Sequence, residues 1–144
     1  MEREFHPYGE YKTAKTSSLI VGSFPIGKFT NPKRRKEIKS HEIDFYYGGE
    51  GNHLWKLLGK CFGRSLEDRE EIMSFLEEKE FSMADVIRSC RRLNGSGSDS
   101  ALYDIEWNRE LSDFIKKHKF KKIYFTSKRV YHWYRVHIGR AEGV

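Results

Sequence analysis

Cysteine is scarce in this chain: Cys61 and Cys90 are the only two in 144 residues. Two distant thiols exclude a disulfide framework and a four-thiolate cluster. Both read as small buried residues, Cys61 beside Leu57, Leu58 and Phe62 on an apolar helical stretch. No His/Cys pair has metal-ligand spacing, so neither a metal nor another cofactor is expected. No apolar run approaches the ~20 residues of a membrane-spanning helix. No apolar segment follows the N-terminal charges, so a secretory signal is not expected and the cytoplasm is the expected compartment. Without an internal repeat or a separate linker, residues 1–144 read as one domain.

What is present is positive charge and aromatic rings. Net charge is +6, and aromatics make up 15% of the residues, too many for a disordered chain. A basic balance favours a polyanionic partner. The cations cluster at Lys33–Lys36, at Arg88, Arg91 and Arg92, at Lys116–Lys122, and at Lys128, Arg129, Arg135 and Arg140. The third cluster also fits the cationic end of a solvated helix. Acidic residues concentrate between Glu67 and Glu80.

Ser18–Gly22 is a short apolar run and reads as a central strand. Pro25, Gly27, Asn31 and Pro32 mark a loop after it, and Lys33–Lys39 reads as a short helix or an ordered basic loop. From Asn52, the spacing of Leu54, Trp55, Leu57, Leu58 and Phe62 predicts a helix stopped by Gly63. A second helix is expected to start at Ser65 as N-cap, with Ile72, Met73, Phe75 and Leu76 on its apolar face. Met83–Ile87 reads as a strand and Asn94–Ser100 as a turn-rich loop. Trp107, Leu111, Phe114 and Ile115 repeat at helical spacing. Lys122–Phe125 reads as a third strand, and Val130–Ile138 as a last helix with Gly139 as C-cap. Strands alternating with helices predict a mostly parallel sheet covered on both faces.

Two segments carry chemistry. Gly22-Ser23-Phe24-Pro25 is a Gly/Pro turn at the end of the first strand. Asp44-Phe45-Tyr46-Tyr47 leads through a glycine-rich loop to Asn52-His53-Leu54-Trp55. Flat rings and an amide at a strand's carboxyl end suit a nucleobase, stacked on its face and read at its edge. Asn52 offers a donor and an acceptor together, or serves as an ordinary helix cap. Of the two tyrosines, Tyr46 reads as core and Tyr47 as the stacking ring, with Phe45 also in the core. His41 and His53 read as structural, as does Asp85, with a role near a bound sugar as the alternative.

These two segments, followed by Ala84-Asp85-Val86-Ile87-Arg88-Ser89-Cys90 and Gly95-Ser96-Gly97-Ser98-Asp99-Ser100, resemble the uracil-DNA glycosylase superfamily. The deoxyinosine (hypoxanthine) branch is the nearest. The resemblance implies a three-layer α/β/α sandwich with a central, mostly parallel sheet of three to four strands. It also implies a monomeric, monofunctional DNA glycosylase of base excision repair, which hydrolyses the N-glycosidic bond of a deaminated base flipped out of DNA. On that reading Asn52 is catalytic, and Gly22, Ser23, Phe24, Pro25, Tyr46 and Tyr47 hold the base. Arg91, Arg92, Ser96, Ser98, Lys128 and Arg129 hold the DNA backbone. Phe24 stands where many superfamily members carry a water-positioning Asp or Asn, an apolar choice shared with the deoxyinosine branch. The superfamily's last motif, a Ser/Pro-rich loop after a fourth strand, is not found after Tyr131. The alternatives are a non-catalytic nucleic-acid-binding module of the same fold and an unrelated α/β domain binding a small nucleotide or anion.

Overall fold

The computed structural model describes residues 2–139. Its centre is β2 (Ser18–Gly22), whose five residues are all buried. A strand apolar on both faces belongs inside a covered parallel sheet, and β2 pairs in parallel with β3 (Phe81–Asp85) on one side and β6 (Lys122–Phe125) on the other. Its side chains alternate between two cores. Ile20 packs with Trp55, Ile72, Phe75 and Leu76 of α2 (Leu54–Phe62) and α3 (Arg69–Lys79). Leu19 and Val21 pack with Leu111 of α4 (Leu111–His118) and with Val130 and Tyr134 of α5 (Lys128–His137). Helices therefore cover both faces of the parallel sheet, as expected.

The second sheet and several element boundaries correct the expectation. The parallel sheet has three strands, in the order β3-β2-β6, and a second, antiparallel sheet stands beside it. In that sheet β4 (Ile87–Arg92) lies between β1 (Glu4–Phe5) and β5 (Leu102–Trp107). The expected strand over 83–87 is thus the end of β3 and the start of β4. Val86 lies between them, its N–H donating to the Gly22 carbonyl at 2.9 Å. Trp107 closes a strand rather than opening a helix, and its indole stacks on His137 at 4.1 Å.

Helix boundaries follow the caps. Asp68, not Ser65, accepts from Glu71 N–H and starts α3. Ser127 caps α5 by accepting from Val130 N–H, and Ile138 rather than Gly139 is its C-cap. Gly63 ends α2 in the left-handed conformation. The buried face of α2 is narrower than its spacing predicts: Trp55 and Gly59 are buried, whereas Leu57 and Phe62 are exposed. Cys61 is on the exposed side of α2, contrary to expectation, and Cys90 is buried in β4. Between β2 and α2 the chain forms a single helical turn, α1 (Gly27–Thr30), and a 3-10 helix over Pro32–Glu37. No described helix is long and apolar enough to cross a membrane.

Candidate active site

β2 is a switch point: the chain leaves it towards β3 on one side and returns as β6 on the other, which opens a crevice at the strands' carboxyl ends. A cavity of about 320 Å³ occupies that position. Residues from each strand end line it: Ser23, Phe24 and Pro25 after β2, Asp85 at the end of β3, and Thr126 after β6. The aromatic loop contributes Tyr46, Tyr47 and Asn52, and the serine-rich loop contributes Gly97 and Asp99. The structure therefore brings together the residues that the sequence separates into a turn, an aromatic loop and a serine-rich loop.

The aromatic loop is held by hydrogen bonds that explain its residue types. Trp55 Nε1 donates to the Tyr46 carbonyl at 2.7 Å. Tyr46 is 2% exposed, and its hydroxyl donates to the Gly9 carbonyl. Phe45 is buried with it. Tyr47 is left half-buried against the cavity, in the left-handed region at φ 57°. Its hydroxyl is buried beside Gly22, where any Cβ would collide with it, and makes no hydrogen bond of good geometry. Burial and the Asp85 carboxylate push its pKa well above the ordinary phenol value, with Thr126 offsetting this in part. Tyr46 is a buried ring that also lines the cavity, and Tyr47 lines it from a half-buried position.

Asn52 is exposed on the cavity wall. Its Oδ1 accepts from Leu54 N–H at 2.9 Å, one residue ahead of the helix cap position held by His53. No described residue bonds its Nδ2. The amide thus sits on the cavity wall with Nδ2 uncommitted and one of the two Oδ1 lone pairs taken.

Several expected contacts are taken up inside the protein. Ser23 donates its hydroxyl to Asp99 Oδ1 at 2.8 Å, which ties the first turn to the serine-rich loop instead of facing a ligand. Arg92 is only 3% exposed. It bonds Glu4 at 3.1 Å and the carbonyls of Ser96 and Pro25 at 2.7 and 2.8 Å, so it braces the site and cannot reach a phosphate. Arg91 pairs with Asp104 at the surface. Ser96 and Ser98 flank Gly97 at the cavity rim, where Ser96 Oγ accepts from Ser98 N–H and Ser98 Oγ from Ser100 N–H. Lys128 and Arg129 are exposed in the first turn of α5, directly after Thr126 and its cap. The Arg129 guanidinium lies over the Trp133 ring.

Two carboxylates in the cavity wall, Asp85 and Asp99, went unassigned or were read as structural from the sequence. Behind Asp85 stands His6, whose Nε2 lies 2.6 Å from Asp85 Oδ2. No sequence pattern links residues 79 positions apart; the antiparallel pairing of β1 with β4 and the Tyr11–Met83 bridge to β3 bring the N-terminal segment to this place. Phe24 lies against His6, with ring centroids 5.9 Å apart.

Neither a protein-family model nor a curated protein matches the sequence. Among solved structures, the chain is similar to the solution NMR structure of a "putative Uracil DNA glycosylase" from Methanosarcina acetivorans. That likeness has a TM-score of 0.59 at 22% identity and covers 97% of this chain and 79% of that one. It shows a shared fold.

Proposed function

We propose that this protein is a monofunctional DNA glycosylase that removes a deaminated base, hypoxanthine or uracil, from DNA. The observation that carries the reading is the Asn52 amide, its Nδ2 uncommitted and its Oδ1 engaged by Leu54 N–H, on the wall of a cavity of about 320 Å³ that the Tyr47 ring also lines. Deamination replaces an exocyclic amino group, a donor, with a carbonyl, an acceptor. A free amide N–H pair bonds the carbonyl and repels the amino group. Tyr47, with Phe24 and Phe29 on the cavity wall, supplies faces for the extruded ring.

The electrostatics support base release over nucleotide binding. Asp85 and Asp99 give the cavity negative charge, which opposes a phosphate and favours a sugar that becomes cationic as the C1′–N bond breaks. Asn52 Nδ2 would serve the opposite end of the same event, the negative charge that develops on the departing base. Lys128, Arg129, Ser96 and Ser98 at the rim would hold the backbone phosphates without reading sequence.

The test uses end-labelled duplexes that carry one deoxyinosine or one deoxyuridine, treated with alkali after incubation. The reading expects scission at the lesion, lost in Asn52→Ala, and no scission of the normal duplex. A duplex that is bound but never cut favours the non-catalytic binding module.

A further inference from the structure

Hydrolysis needs a water as well as a base-binding pocket, and Phe24, in the place where the sequence resemblance looks for a water-positioning side chain, has no polar atom to hold one. We infer that Asp85 is the carboxylate that activates the water and that His6 is the residue that positions it. This rests on the glycosylase reading and adds to it a base and a positioning residue drawn from β3 and the N-terminal segment.

The assignment follows from hydrogen bonds. Tyr8 N–H donates to His6 Nδ1 at 3.2 Å. Nδ1 is therefore the unprotonated nitrogen, and Nε2 carries the proton that it donates to Asp85 Oδ2 at 2.6 Å. The imidazole cannot rotate away, because the rings of Tyr8 and Phe24 meet it edge-on with centroids 5.8 and 5.9 Å distant. Both partners are almost wholly buried, at 8% and 5% side-chain exposure. The backbone is held as well: Asn108 Nδ2 donates to the Asp85 carbonyl at 3.0 Å.

With Oδ2 occupied, Oδ1 is the oxygen left for chemistry. No described residue donates to it. It lies over Gly22, where a Cβ would stand 2.7 Å away, and so beside the turn that shapes the cavity. A histidine that grips one carboxylate oxygen and leaves the other to the pocket aims a base, as an orienting residue does for a catalytic pair elsewhere. As the C1′–N bond breaks, its electron pair leaves with the base. The water oxygen bonds C1′ and gives a proton to Asp85 Oδ1, which returns it to the departing base or to solvent.

Single-turnover base release on a deoxyinosine duplex tests this, alongside the affinity of each variant for the same duplex. Asp85→Asn should lower the rate by about 100-fold or more while lesion binding is retained. Formate should restore part of the rate to Asp85→Gly, which loss of a purely structural group would not allow. His6→Gln keeps an N–H donor and should retain much of the rate, whereas His6→Phe should not; this pair decides the matter if the Asp85 variants fail to fold. A wild-type rate in Asp85→Asn, or equal loss in both His6 variants without formate rescue, overturns the assignment alone. A wild-type chain inert on deoxyinosine and deoxyuridine duplexes alike overturns it together with the glycosylase reading.

Discussion

The Tyr47 hydroxyl is buried between Gly22 and Asp85 without a well-formed hydrogen bond, and a group in that state costs about 1–3 kcal/mol of desolvation. Removing it while keeping the ring separates two roles. Tyr47→Phe should raise the melting temperature by about 2–4 °C for a gain near 1 kcal/mol and leave base release intact. Tyr47→Ala should weaken lesion-duplex binding by roughly 1–3 kcal/mol through lost stacking. Thermal melts with a binding titration check both; equal effects of the two variants on binding would place the role in the hydroxyl. At this scale the sequence was informative where a residue type has few uses. The Gly22 turn, the Tyr46–Tyr47 pair and Asn52 all reach the cavity. It was uninformative where the partner is remote: nothing adjacent to Arg92 announces Glu4, and nothing adjacent to Asp85 announces His6.

The element that carries the aromatic rings depends on one acid. Glu42 accepts from Lys39 N–H and Glu50 N–H at 2.8 Å each and pairs with Lys28 at 2.7 Å, so it closes the loop over residues 39–50 from inside. Burial opposes its charge, but the Lys28 ammonium and the two backbone donors outweigh burial and hold its pKa at about 2. The folded value lies below the unfolded one. Its contribution, about 3 kcal/mol at most, is therefore present above about pH 4.5 and lost as pH falls towards 2. Melting temperatures taken between pH 6 and 2 should fall steeply in the wild type. The Glu42→Gln curve should start lower and be flatter; parallel curves would show that another acid controls the loop. The elements most legible in the sequence were β2, an unbroken apolar run, and α3, with a helical period. Strand β4 was hidden because three of its six residues are arginine, and its buried cation is tolerated through Glu4 and the carbonyls of Ser96 and Pro25. Strand β5 was misread because the interval from Trp107 to Leu111 imitates a helical turn across a strand-to-helix junction.

Across the whole molecule, many of the cations that cluster in the sequence are paired with acids. Lys33, Arg34 and Arg35 pair with Glu2, Glu37 and Asp44, and Arg88 and Arg91 pair with Glu110 and Asp104. A basic total of +6 was therefore a poorer guide to a phosphate-binding surface than its distribution after folding. Lys128 has no carboxylate partner among the described residues and opens the helix next to the cavity. Lys128→Ala with Arg129→Ala should weaken duplex binding uniformly and reduce its log-log salt slope by about 2. Arg92→Ala should leave that slope unchanged and instead destabilise the fold by about 3–5 kcal/mol, because Glu4 loses its buried counter-charge. Salt titrations and chemical denaturation separate the two kinds of arginine. The most direct test of the central claim is the mass of the lesion strand after incubation of a deoxyinosine duplex with stoichiometric protein. The account predicts a strand in which the base has been replaced by a hydroxyl, equimolar free hypoxanthine, and no change in the matched normal duplex. An intact lesion strand for deoxyinosine and deoxyuridine alike, with the duplexes demonstrably bound, would contradict it.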